Sequence, residues 1–145
     1  MSAIRSKNTI PEIKLRKALF KLGYRYRLYL KALPGKPDLV FKSKKAVIFV
    51  NGCFWHHHIN CSRAFLPHSN LEYWIPKINR NVQRDKENIE KLTNLGWRVL
   101  IVWECALKSK LIEKTSTLAS NWLMSSIQYA EISYNEEGPY LKIYN

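Results

Sequence analysis

Two stretches of this chain, AVIFVN at 46–51 and WRVLIVW at 97–103, are apolar at almost every position. A strand without polar alternation is covered on both faces, which calls for helices above and below its sheet. Between the two runs Ile75, Ile78, Val82, Ile89, Leu92 and Leu95 recur at helical spacing from about 71 to 95, and Gly96 ends the pattern. Strand, long helix, strand is a crossover, so the two strands are predicted parallel and adjacent, joined right-handedly. The class is therefore α/β, a central mixed sheet flanked by helices.

The remaining segments fit around that unit. Thr9, Pro11 and Glu12 read as a capping box opening a helix over 10–22, with Ile13, Leu15, Ala18, Leu19 and Leu22 on one face and Gly23 as its stop. YRYRLYL at 24–30 alternates like a half-exposed strand, and LPGKPD then breaks it. LVF and AVIFVN flank the charged turn KSKK and predict a hairpin. A helix near 110–125 and a closing hairpin in EISYNEEGPYLKIYN complete one domain over 1–145.

Charge narrows the partners. A net +13, from 24 Lys and Arg against 11 Asp and Glu, exceeds what solubility needs and attracts polyanions. Nucleic acid is the first partner to expect and an anionic membrane surface the second, though no segment sets a large apolar face against a basic one. No apolar run approaches the roughly 20 residues that span a bilayer, and MSAIRSKNT has no signal-peptide core, so a cytosolic protein is expected. Three cysteines, an odd number, argue against a disulfide framework and suit a reducing compartment.

Most of the chemistry lies in VNGCFWHHHINC, 50–61. Cys53, His58 and Cys61 can converge on one ion from a single loop. Cys105 follows the strand parallel to the one leading into Cys53, so it reaches the same sheet edge. Three thiolates and an imidazole form a closed tetrahedral Zn²⁺ shell, with His56 and His57 competing for the histidine place. Asp38 follows Pro37 at the mouth of the hairpin, which matches the first half of the nuclease signature PD-(D/E)xK. There a carboxylate at the sheet edge binds Mg²⁺. The second half is missing, since 46–51 holds neither acid nor lysine. Asp85 interrupts the apolar face between Val82 and Ile89 and needs a partner, an arginine being the ordinary one. Lys77, Arg80, Arg84 and Lys91 form a basic stripe on the same helix, suited to phosphate.

LPGKPDLVF, VIFVNGCFWHHHINC, EYWIPKINRNVQRD and LGWRVLIVWECAL together resemble the very short patch repair (Vsr) DNA mismatch endonucleases, from Met1 to about Leu107. The resemblance implies a PD-(D/E)xK-like fold with structural Zn²⁺ and Mg²⁺-dependent nicking of one strand 5′ to the mispaired thymine of a T:G mismatch. It further implies Asp38 and the Val50 carbonyl as Mg²⁺ ligands, His56 as activator of the attacking water, Glu12 as a holder of the hydrated metal and Asp85 around the metal waters. Cys53, His58, Cys61 and Cys105 fall on its zinc ligands. Phe54, Trp55 and Trp74 fall on an aromatic wedge driven into the base stack. Lys77, Arg80 and Arg84 would contact phosphates.

This sequence departs from the family pattern at three points. Asn51 stands where the pattern has an active-site histidine, and an amide cannot carry that proton. The stretch from His58 to Cys61 is one residue longer. The chain also starts where family members carry a preceding DNA-gripping segment, so it is expected to be short there.

The partner implied is double-stranded DNA carrying a mismatch, recognised by a monomer, with mismatch-repair proteins as protein partners to test. Two other functions compete: a restriction or defence nuclease of the same fold without mismatch preference, and a zinc-stapled DNA-binding module that has lost catalysis. Asn51 favours the module, and the set Asp38, His56 and Glu12 opposes it.

Overall fold

The computed structural model describes residues 7–144. Met1 to Ser6, where the resemblance begins, lie outside the described residues.

The chain builds a six-stranded sheet in sequential order, β1 Arg27–Leu28, β2 Leu39–Phe41, β3 Ala46–Asn51, β4 Arg98–Trp103, β5 Tyr129–Asn135 and β6 Gly138–Ile143. The predicted parallel pair is present, Ala46 opposite Arg98 through Asn51 opposite Trp103, and β5 pairs parallel to β4 on its far side. The other three pairings are antiparallel. Helix α1, Ile10–Lys21, precedes the sheet; α2, Leu71–Asn94, crosses from β3 to β4, and α3, Ile112–Leu123, leads from β4 to β5.

Period-two alternation divides the core into two layers. Leu39, Phe41, Ala46, Ile48, Leu100, Val102 and Ile132 pack with Leu15 and Leu19 of α1 and Ala119, Trp122 and Leu123 of α3. Val40, Val47, Val99, Ile101 and Trp103 face the other way, onto Leu92 of α2. The sheet steps in one direction through β3, β4 and β5 while α2 and α3 cover opposite faces. The two crossovers therefore have opposite hands, and one departs from the usual right-handed preference.

Several expectations need correcting. Of the strand expected over 24–30 only Arg27–Leu28 pairs, both residues exposed. Tyr24 and Tyr26 turn inward, edge-on to Phe41, and Tyr29 takes a left-handed φ of 51° that ends the ladder. The strand β3 is fully buried only at Ala46, Val47, Ile48 and Asn51; Phe49 and Val50 are half-covered where a cleft opens. Leu22, Ile75 and Leu95, assigned to apolar helix faces, are exposed, Leu22 and Leu95 being the C-caps of α1 and α2.

Among the described residues, no helix is long and apolar enough to cross a membrane.

Candidate active site and metal centre

A cleft of about 1160 Å³ opens where β3 runs on past the first residue of β2, walled by α1, α2 and the loop after β3. The segment 31–38 reaches it over α2: Gly35 sits at φ +78°, and a Cβ there would meet the Asn88 side chain at 3.0 Å. A side chain at that position would push the loop carrying Asp38 off the helix.

Asp38 stands one residue before β2, and its Oδ2 accepts the Val50 N–H at 2.6 Å. A strand residue's N–H and C=O share one edge. The Val50 carbonyl therefore opens on the Asp38 side, beyond the last β2 pairing at Ile48. Burial pushes the Asp38 pKa up to about 7; the Val50 N–H and His56 oppose this, and the charge of Glu12 adds to it.

Glu12 is itself buried. Thr9 Oγ1 accepts its N–H at 3.4 Å, completing one half of the predicted cap. The carboxylate accepts from Arg16 at 3.1 Å and from the Tyr29 hydroxyl, and lines the cleft. Burial raises its pKa; Arg16 and the backbone N–H groups of Thr9 and Asn8 lower it.

On the opposite wall Asp85 finds its partner, which is a histidine and not the expected arginine. His56 Nδ1 lies 2.6 Å from Asp85 Oδ2. Asn51 is buried at the end of β3, also lining the cleft.

The cysteines meet as their spacing predicts. Ligand atoms of Cys53, His58, Cys61 and Cys105 all lie within 4.8 Å of one another, so this cluster could hold a metal ion. The choice among three histidines is resolved by the backbone: His56 faces Asp85, His57 is exposed, and His58 Nδ1 lies 3.6 Å from Cys105 Sγ. A hydrogen bond from Cys53 and the adjacent His58 hold the Cys105 thiol low, while Cys53 is held high by that shared bond and by burial.

Above the cleft Phe54, Trp55 and Trp74 form one aromatic group, with ring centres 5.0–5.6 Å apart. Tyr73 extends it edge-on to Trp74 at 4.9 Å. Asn81 Nδ2 fixes the Trp55 carbonyl at 3.0 Å, and Lys77 Nζ lies 5.6 Å from the Trp55 and Tyr73 ring centres. Arg84 lines the cleft; Arg80 and Lys91 are exposed elsewhere on α2.

The sequence reading missed Tyr29, Arg16, Asn81 and Glu104, whose Oε1 accepts the Cys53 N–H at 3.2 Å. Only Tyr29 left a trace, as an aromatic on the exposed side of an alternating run.

A sheet with a carboxylate at its opened edge, beside an imidazole–carboxylate pair and a basic, aromatic rim, has the equipment of an enzyme that cuts a phosphodiester. The sequence profile of the DNA mismatch endonuclease Vsr matches residues 1–63. The chain is 51% identical over 107 residues to the type II nicking enzyme V.XorIIP of Xanthomonas oryzae pv. oryzae, covering 74% of this chain and 78% of that one. It is 46% identical to the DNA mismatch endonuclease Vsr of Escherichia coli K12, over 76% of this chain and 70% of that one. It is also 46% identical to the type II nicking enzyme V.NmeAIP of Neisseria meningitidis serogroup A, over 77% and 79%. The protein is a DNA endonuclease, a phosphodiester hydrolase. It belongs to the Vsr DNA mismatch endonuclease family.

Proposed function

We propose that this endonuclease nicks one strand of duplex DNA 5′ to the mispaired thymine of a T:G mismatch, on a PD-(D/E)xK-type sheet, using Mg²⁺ in the cleft and Zn²⁺ in the cysteine–histidine cluster. The observation that carries this reading is the meeting of Asp38, the His56–Asp85 pair and the Phe54–Trp55–Trp74 group around one cleft.

The donor sets fit the two ions. Asp38, the Val50 carbonyl and the neighbouring Glu12 offer hard oxygens of the kind Mg²⁺ takes. Three thiols and an imidazole are the donors of structural Zn²⁺. When bound, Mg²⁺ would orient a water and offset charge on the scissile phosphate.

The side chains supply the rest. Asp85 engages His56 Nδ1, which leaves Nε2 to accept a proton from the attacking water. As the water oxygen bonds to phosphorus, the bond from phosphorus to the leaving oxygen breaks. Asn51 can hydrogen-bond there but neither takes up nor releases a proton near neutral pH, so among the described residues lining the cleft His56 is the imidazole for this task. Lys77, Arg80 and Arg84 hold the flanking phosphates.

Mismatch preference rests on Phe54, Trp55 and Trp74 as a wedge. Unstacking costs a few kcal/mol per step and least at a mispair, so insertion itself discriminates. The name of the Escherichia coli relative supports a mismatched substrate, and the nicking-enzyme names of the others support single-strand cutting.

A strand-specific nicking assay on T:G and T:A duplexes in Mg²⁺ tests the proposal. Preferential nicking of the thymine strand of T:G is expected. Equal nicking of both duplexes would favour a nuclease without mismatch preference, and binding without nicking would leave a DNA-binding module.

A further inference from the structure

We propose that Ser133, on β5, is the positioning residue that fixes His58 as a metal ligand. The inference rests on reading Cys53, His58, Cys61 and Cys105 as a Zn²⁺ site. It concerns a strand beyond the stretch, Met1 to about Leu107, that carries the family resemblance.

His58 presents its two ring nitrogens to different neighbours. Nδ1 lies 3.6 Å from Cys105 Sγ, and Nε2 lies 3.0 Å from Ser133 Oγ. A ring that binds a cation through Nδ1 carries its proton on Nε2, so Ser133 Oγ accepts that N–H and selects the tautomer. Ser133 is buried, 6% exposed, so little bulk water stands ready to replace its hydroxyl.

The ring plane is fixed separately. The Trp103 indole stacks on His58 at 4.1 Å with 6° between planes. Its Nε1–H donates to Glu131 Oε1 at 2.7 Å, and the Tyr129 hydroxyl donates to Glu131 Oε2 at 2.5 Å. Glu131 and Ser133 are two residues apart, hence on one face of β5. One holds the platform under the ring and the other holds its distal nitrogen. Strand β5 thus backs the metal centre through Ser133 and Glu131, and metal binding would tie the β5–β6 hairpin to the loop carrying His56.

The test uses the full-length protein as purified. Zinc is withdrawn with a chromogenic chelator, and the long-range ¹H–¹⁵N spectrum of the wild-type imidazoles is recorded. Ser133→Ala should surrender zinc roughly 10- to 100-fold more readily, and Ser133→Thr, which restores the hydroxyl, should return most of the difference. The spectrum should show His58 protonated at Nε2. Unchanged zinc retention in Ser133→Ala, failure of Ser133→Thr to restore it, or a His58 proton on Nδ1 would overturn the proposal. If Ser133→Ala does not fold, the isosteric pair Ser133→Thr and Ser133→Val decides: the threonine variant should hold zinc more tightly, and equal retention by the two overturns the proposal. A wild-type protein without zinc would remove the underlying metal reading itself, an outcome distinct from zinc-loaded protein indifferent to Ser133.

Discussion

Replacing Asp38 by asparagine separates what the residue does for chemistry from what it costs the fold. Its carboxyl accepts the Val50 N–H at 2.6 Å, and burial with Glu12 nearby moves its pKa from the ordinary 3.8 up to about 7. Between those values the folded protein holds a proton that the unfolded chain has released. Stability from this group is therefore fully present below pH 3.8 and is lost as pH rises to about 7. At about 1.4 kcal/mol per pH unit the interval amounts to about 4 kcal/mol. Water in the open cleft screens part of this, leaving about 2–4 kcal/mol. Asparagine keeps an oxygen for the Val50 N–H and never ionises.

In Mg²⁺-free buffer without chelator, which leaves zinc in place, Asp38→Asn should be more stable than wild type by about 2–4 kcal/mol at about pH 8. The gain should shrink by about 1 kcal/mol for each pH unit below 7. Urea unfolding followed by circular dichroism at about pH 8, 7 and 6 measures both. Added Mg²⁺ should stabilise the wild type and not the variant, and the variant should not nick. Equal stabilities at pH 8, or a gap indifferent to pH, would refute the burial argument. Nicking by Asp38→Asn at the parental rate would refute the mechanism.

Glu12→Gln removes the neighbouring charge that raises Asp38, so the pH midpoint of Mg²⁺-induced stabilisation should move downward; a midpoint that stays put or rises would show the two carboxyls to be uncoupled. Cys105→Ser should carry no zinc by elemental analysis and lose on the order of several kcal/mol of stability, because metal binding at such sites is folding free energy. Alanine at Lys77, Arg80 and Arg84 together should flatten the log–log salt dependence of DNA affinity by roughly 0.9 for each phosphate no longer neutralised, and an unaltered slope would make the stripe solvated surface. Trp55→Ala should retain zinc while losing about 1–3 kcal/mol of the preference for T:G over T:A duplex in binding titrations.

How far the sequence could be read depended on how local the cause was. The sheet centre was legible because 46–51 and 97–103 announce double-sided burial, and the intervening helix can only be a crossover. The parallel pairing then placed Cys105 beside Cys53 with no further information. The pairing of β5 to β4 was not legible, since a terminal hairpin's alternation does not say which edge it joins. Tyr129–Asn135 therefore hid Glu131 and Ser133, whose partners Trp103 and His58 lie 28 and 75 residues away in sequence. Asp85 was recognised as misplaced on an apolar face, yet its partner was invisible: the periodicity shows which face a residue occupies and not what crosses over it.

Three consecutive histidines with three different surroundings show how the loop serves two centres at once. Its start is held by Glu104 on the Cys53 N–H, and its turns close through His56 N–H to Gly52 O at 3.1 Å and His58 N–H to Cys53 O at 2.9 Å. Between them His57 takes a left-handed φ of 51°, which costs on the order of 1 kcal/mol for a residue with a side chain. That kink lets neighbours only two apart diverge, His56 toward Asp85 and His58 toward Cys105. An unkinked extended loop would place residues two apart on one face and send both rings to the same centre. A metal held at the cluster, as proposed above, would be more than a distant staple: by gripping the loop at Cys53 and Cys61 it would offset the kink that aims His56 into the cleft. On the proposed function, stability gained at the cysteines would hold a strained backbone beside the scissile phosphate.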